Sequence, residues 1–197
     1  MDPTLLDAIA ASAWLLPLVM LLVIGDAFLV VLPSETAVVA VAALSATTGT
    51  PPLAALIGVA AAGALIGDVL CFGIGRRVGL DRWSWQRHGV LGRAIERAQR
   101  TVLSRPAVLI FTARYVPFAR IAVNLTAGAS GLPARRFVPL AAAAGLGWAL
   151  YNCAIGAVLG TALSDMPLVA IAVSMVVAIA LGLTVDAAVG RLSRHSK

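Results

Sequence analysis

Two arginines, Arg114 and Arg120, stand six residues apart in the stretch Arg114-Tyr115-Val116-Pro117-Phe118-Ala119-Arg120, inside an apolar run from 106 to 134. A guanidinium keeps its charge when desolvated and grips phosphate or carboxylate through parallel hydrogen bonds. On an unbroken helix the two side chains would point to different faces. A break at Pro117 lets both converge on one spot. Three acids are placed comparably: Asp26 and Glu35 in the apolar run 18–46, where Pro33-Ser34-Glu35 interrupts it, and Asp68 in Gly63-Ala-Leu-Ile-Gly67-Asp68. A charge at the bilayer centre costs roughly 2.5–3.5 kcal/mol even on insertion scales, so each such group is a functional-site hypothesis. The arginines suit a phosphate headgroup, with Asn124 as a further polar contact. Glu35, Asp26 and Asp68 suit proton coupling. A structural reading competes for each. Arg114 could snorkel toward the cytoplasm, Glu35 could form a fixed ion pair with Arg114 or Arg120, and Asp68 could simply bond an arginine or hairpin backbone.

Composition requires a membrane protein. Of 197 residues 60% are hydrophobic and 12% charged, with a mean hydropathy of +0.96. Soluble domains carry about 25% charged residues, so a solvated surface cannot be built from this chain. The net charge of +6 does not point to nucleic acid, because of where it lies. No Lys or Arg precedes Arg76, and eight of the fifteen basic residues fall in 76–105. Arg135-Arg136 and the group Arg191, Arg194 and Lys197 account for most of the rest, a positive-inside distribution. The acidic N-terminal stretch, with Asp2 and Asp7, argues against a cleaved signal peptide. Cys71 and Cys153 lie in apolar runs and read as packing residues, not a disulfide.

The elements follow from length. A crossing needs about 20 apolar residues. Residues 52–75, 137–163 and 167–190 each supply one. The segments 18–46 and 106–134 are too long for one crossing, too short for two, and broken by proline near the middle. Proline at that depth is tolerated only where the freed backbone lines protein or a cavity. Both segments therefore read as re-entrant hairpins. In residues 90–104, Leu91, Ile95, Ala98 and Val102 form an apolar stripe, with Arg93, Arg97 and Arg100 opposite. This predicts an amphipathic linker helix on the cytoplasmic leaflet within 81–104. Glycines 58, 63 and 67 predict close helix approach.

The fold expected is an all-α integral membrane domain over 1–197. It is an inverted repeat of re-entrant hairpin plus transmembrane helix, joined by the amphipathic linker and followed by one extra C-terminal transmembrane helix. The Arg-rich loop 76–105 and the C-terminus are placed in the cytoplasm. Inverted repeats with broken helices are the plan of many secondary transporters. Enzyme chemistry has little material. The histidines His88 and His195 fall in basic segments, and no His/Cys/Asp cluster has metal-ligand spacing. No metal or other cofactor is expected.

The pattern Asp26…Pro33-Ser34-Glu35, Gly67-Asp68…Gly75-Arg76-Arg77…Gly79 and Phe111-x-x-Arg114-Tyr115-Val116-Pro117-x-x-Arg120…Ala127-Gly128…Phe137…Trp148 resembles the DedA family, the VTT or SNARE-associated domain family. The resemblance runs from about 26 to 160. It implies two opposed re-entrant hairpins and a role in moving lipids across the bilayer. In bacteria that role includes returning undecaprenyl phosphate to the cytoplasmic face with proton-motive force, and eukaryotic relatives look like phospholipid scramblases. The family's essential acid in the first hairpin matches Glu35, and its two essential arginines match Arg114 and Arg120. The chain departs from the family in four places. Asp26 stands where glutamate is frequent, Ser34 interrupts Pro-Gly-Glu, and Phe118 replaces the glycine after the hairpin proline. Positions 36–67 lack the further acid that some members carry. Phe118 is expected to narrow the cavity or stiffen the tip.

The function expected is a non-enzymatic lipid translocase of a bacterial cytoplasmic membrane. It would move undecaprenyl or another polyprenyl phosphate, or a related anionic phospholipid, with protons as the coupling partner. Nucleic acid is not an expected partner, and a homo-oligomer is left open. Two other classes compete: a proton-coupled antiporter of small cations or drugs, and a non-transporting scaffold.

Overall fold

The structure is a computed structural model and describes residues 8, 10–29, 33–79, 98–114 and 117–162. Among these residues it is all helix and turn. Six helices carry the site: α1 (Leu15–Asp26), α2 (Ser34–Thr48), α3 (Leu53–Val78), α4 (Pro106–Ala113), α5 (Pro117–Ala129) and α6 (Ala134–Ala162). Residues 98–104 form a further helical stretch before α4. The predicted third crossing at 167–190, the basic tail and linker residues 81–97 lie outside the described residues.

Helix lengths fall into two classes. The 26 residues of α3 and 29 of α6 are long and apolar enough to cross a membrane. At 1.5 Å per residue they reach roughly 39 and 43 Å. The other four have 8 to 15 residues, about half a crossing each. The breaks between α1 and α2 and between α4 and α5 fall at Pro33 and Pro117, where the sequence places them. Pro33 precedes the first residue of α2, and Pro117 opens α5. A proline there gives up an N–H that has no intrahelical partner in any case.

Helix α3 extends the predicted crossing from residue 75 to Val78. Arg76 and Arg77 fill its last turn, where a cation suits the negative end of the helix dipole. Helix α6 starts at Ala134 instead of 137, immediately after Pro133, and takes in Arg135 and Arg136.

The bundle packs α2 along α6, α5 along α3, α3 against α6 and α1 against α3. Two of these contacts need glycine. A Cβ on Gly128 would run into the carbonyl of Phe72, and one on Gly160 would sit 2.6 Å from the carbonyl of Ala43. Close backbone approach of this kind is how membrane helices associate without a hydrophobic driving force. Of the three glycines in α3 that suggested close approach, Gly63 and Gly67 meet α1, and Gly58 meets open space.

Two apolar clusters form the core. One joins Val19, Val23, Val38, Leu56, Ala60, Trp148 and Cys153. The other joins Phe72, Val102, Ile110, Leu132, Phe137 and Ala144, with Phe72 and Phe137 stacked at 4.3 Å. Val102 of the predicted amphipathic stripe is thus core, while Ala98 is exposed. Outside the core the pattern of a soluble protein is reversed. Leu70, Ile74, Leu146, Leu150 and Val158 are exposed on the two long helices, while Asp68 and Asn152 on the same helices are buried. Apolar exterior and ionic interior are what a bilayer solvent selects.

Candidate functional site

Between the two apolar clusters lies a layer of charge. On α3, Asp68 stands between Ala64 of one cluster and Phe72 of the other. It lies roughly 22 Å from the N-terminal end of α3 at Leu53 and roughly 15 Å from Val78. On α6 the same layer is marked by Gly145 and Trp148, near mid-helix. The layer is therefore at mid-depth of both long helices.

Asp68 is the hub. Its Oδ2 pairs with Arg114 Nη2, and the two side chains are only 3% and 2% exposed. Its Oδ1 accepts a hydrogen bond from Asn124 Nδ2 at 2.8 Å and lies 3.8 Å from Arg120 Nε. Arg120 Nη2 turns to Asp26 Oδ2 at 3.3 Å. Asp26 ends α1, and the side chain of Ser34, the first residue of α2, lies against its carboxylate. The arginines thus come from either side of the α4–α5 break and reach one carboxylate. The polar face of α5 makes this possible: Arg120, Asn124 and Ala127 recur at helical spacing and all point inward.

Glu35 lies in the first turn of α2, half-buried. Among the described residues it is in no ion pair with Arg114 or Arg120. Its Oε1 instead accepts a hydrogen bond from Trp148 Nε1 at 3.1 Å. Asn152, one turn further along α6, donates to the Trp148 carbonyl at 2.9 Å. Tyr151, between them, is exposed. A buried indole N–H ordinarily finds an acceptor, which is the signal that joins Trp148 to an acid; the sequence alone does not say which acid.

The structure thus joins five of the six residues singled out from sequence, Asp26, Asp68, Arg114, Arg120 and Asn124, in one network, while Glu35 is bonded to Trp148 instead. Asn124 enters the network through its amide donor to Asp68. The expectation for Phe118 is corrected. It is 75% exposed and narrows nothing in the interior. It precedes Arg120 by two residues, about 200° around the helix, so an inward Arg120 turns Phe118 outward.

The break itself is satisfied from α3. The thiol of Cys71 donates to the carbonyl of Ala27, just past the end of α1, at 3.1 Å. A carbonyl freed at a helix end inside a bilayer needs such a partner. Cys71 and Cys153 are both free and buried, as expected of packing residues. No group of His, Cys, Asp and Glu among the described residues could hold a metal ion.

The VTT domain family matches residues 32–158, from the α1–α2 break to the last turns of α6. The chain belongs to the DedA family. Comparison with curated proteins and with solved structures found no match. In this DedA protein the matched region holds Glu35, Asp68, Arg114, Arg120, Asn124 and Trp148. Asp26 lies just before it and joins the same network through Arg120. The DedA family and the long apolar helices give the protein a membrane location.

Proposed function

We propose that this protein is a translocase for a membrane-anchored phosphate, with a polyprenyl phosphate such as undecaprenyl phosphate as the favoured substrate. It would work without enzymatic chemistry and take protons as coupling partner. The observation that carries the reading is the convergence of Arg114 and Arg120, from opposite sides of a helix break, on one buried carboxylate. Guanidiniums that pair with a carboxylate also suit a phosphate, which they can take through two parallel hydrogen bonds. The lipid tail would remain among the exposed apolar side chains.

Charge counting supports proton coupling. Two guanidiniums pair with Asp26 and Asp68, and Glu35 beside them is bonded to an uncharged indole, so the fully ionised set carries a net charge of −1. A phosphate monoester brings about −1.5 to −2 more at neutral pH. Entry of the headgroup is therefore easiest when the cluster takes up protons. Glu35, held by a neutral indole, is the acid we assign to that proton, with Asp26 beside it.

Opposed re-entrant hairpins related by an inverted repeat fit the packing. Exchanging α1 with α4, α2 with α5 and α3 with α6 maps the α2–α6 contact onto α5–α3, and α1–α3 onto α4–α6. Both second arms are followed by a left-handed glycine, Gly49 at φ 76° and Gly131 at φ 75°, and then by proline. In this reading residues 1–197 form one membrane domain, 18–46 and 106–134 enter from opposite faces, and the Arg-rich loop 76–105 lies in the cytoplasm. Bacterial inner-membrane residence follows from the polyprenyl phosphate assignment.

The test is transport in proteoliposomes under an imposed pH gradient, comparing a labelled polyprenyl phosphate with a cationic dye. Movement of the phosphate lipid that is lost in Arg114→Ala supports this reading. Movement of the dye, lost in Glu35→Gln while Arg114→Ala retains it, would replace it by a cation antiporter.

A further inference from the structure

We infer that Asp68 is a tethered stand-in for the headgroup: in the empty site its carboxylate occupies both arginines, and an incoming phosphate binds by displacing it. The inference rests on reading the site as a phosphate clamp. It goes further by giving one acid a role distinct from carrying the coupling proton.

The geometry separates the three acids. Glu35 is held by an indole, and Asp26 touches one arginine through one oxygen. Asp68 alone receives Arg114 on one oxygen, with Asn124 and the flank of Arg120 on the other. These are the donors that a phosphate would need, and they are already engaged. Around Asp68, α5 contributes Arg120 and Asn124, and the residue after α4 contributes Arg114. Asp26 of α1 acts through Arg120. Helix α6 contributes no charge at this point; its Gly145 lies against the Arg114 guanidinium, where a Cβ would make an ordinary contact with Nη2 at 3.6 Å. The other two acids of the layer face other partners, Asp26 the Arg120 Nη2 and Glu35 the Trp148 indole.

The competitor and the donors also sit on different bodies. Asp68 belongs to the long helix α3, while Arg114 and Arg120 flank the α4–α5 break. Exchanging carboxylate for phosphate unties the break from α3 without leaving a guanidinium bare. That links occupancy of the site to the tie between α3 and the helices α4 and α5. When the lipid leaves, Asp68 takes the arginines back, which speeds release. A purely structural ion pair makes the opposite prediction, because removing it would loosen the arginines and weaken binding.

The experiment measures binding of farnesyl phosphate to the detergent-solubilised full chain, wild type against Asp68→Asn, with inorganic phosphate alongside. The expected result is affinity for farnesyl phosphate about tenfold tighter in Asp68→Asn, the scale of one charge-assisted hydrogen bond no longer broken. In proteoliposomes the same variant should show a lower KM together with a lower kcat, the mark of a ligand held too well. Wild-type binding with equal or weaker binding in Asp68→Asn overturns the inference and leaves the clamp standing. Absence of farnesyl phosphate binding in both proteins overturns both. A gain for inorganic phosphate alone overturns the assignment to a lipid headgroup. Because Asp68→Asn bares a buried guanidinium, a second pair without Arg114 is run as well: Arg114→Asn, in which Arg120 is shared between Asp68 and the headgroup, against Arg114→Asn with Asp68→Asn, each first checked for folding by thermal melting. There the double variant is expected to bind several-fold tighter than the single, and equal affinities overturn the inference.

Discussion

Asp68 and Arg114, 46 residues apart in sequence, form an ion pair that is almost wholly buried at mid-depth of the helix bundle. The pair ties the first long helix to the tip of the second broken segment.

Breaking this pair from one side should be costly. Arg114→Met leaves a buried carboxylate, and Asp68→Asn a buried guanidinium. Each is expected to lower stability by about 3–5 kcal/mol. The double variant Arg114→Met with Asp68→Asn leaves neither and should recover much of the loss. Unfolding by denaturant in detergent measures the cycle. Additive losses would show that the two residues do not act as a pair.

Trp148 and Glu35 form the second long-range link, 113 residues apart. Trp148→Phe keeps an aromatic ring but removes the donor, and Glu35→Gln keeps size but removes the charge. If the hydrogen bond matters, the two substitutions are non-additive by about 0.5–3 kcal/mol in a double-mutant cycle on transport rate. Independent effects would show that Trp148 only packs.

The glycine contacts give opposite predictions on one protein. Gly128→Ala drives a methyl group into the Phe72 carbonyl between α5 and α3, so a loss of about 1–3 kcal/mol or more is expected. Gly58→Ala meets open space on an exposed helix face and should gain up to about 1 kcal/mol from helix propensity. Melting temperatures in detergent read both. Equal effects would contradict the close α3–α5 packing.

Lipid binding should consume protons. Adding a phosphate monoester to a cluster of net charge −1 calls for uptake of about one to two protons per lipid. A pH indicator in weak buffer, with farnesyl phosphate added to the protein and farnesol as control, measures it. Binding without uptake would mean that the three carboxylates stay charged beside the phosphate.

The breaks were legible because proline and charge at membrane depth have few other meanings. Pro33 and Pro117 fall where the helices part, and α3 and α6 lie within three residues of the bounds expected for the first two of the three crossings. The inward set was legible too, since Arg120, Asn124 and Ala127 share a helical face. The same spacing puts Phe118 outside, and reading it as a cavity residue overlooked that geometry. What sequence could not assign was partnership. Three acids and two arginines allow several pairings, and the choice is made by helix packing between distant segments. That is why the sequence did not show that Glu35 meets an indole or that Asn124 donates to Asp68.

The most direct measurement is translocation of a labelled polyprenyl phosphate by proteoliposomes containing wild type or Arg120→Lys. Lysine keeps the charge but loses the planar fork that makes two parallel bonds. The expected result is a rate lower by about 10-fold or more, with the protein still folded. Full transport in Arg120→Lys would contradict a phosphate clamp built on Arg114 and Arg120.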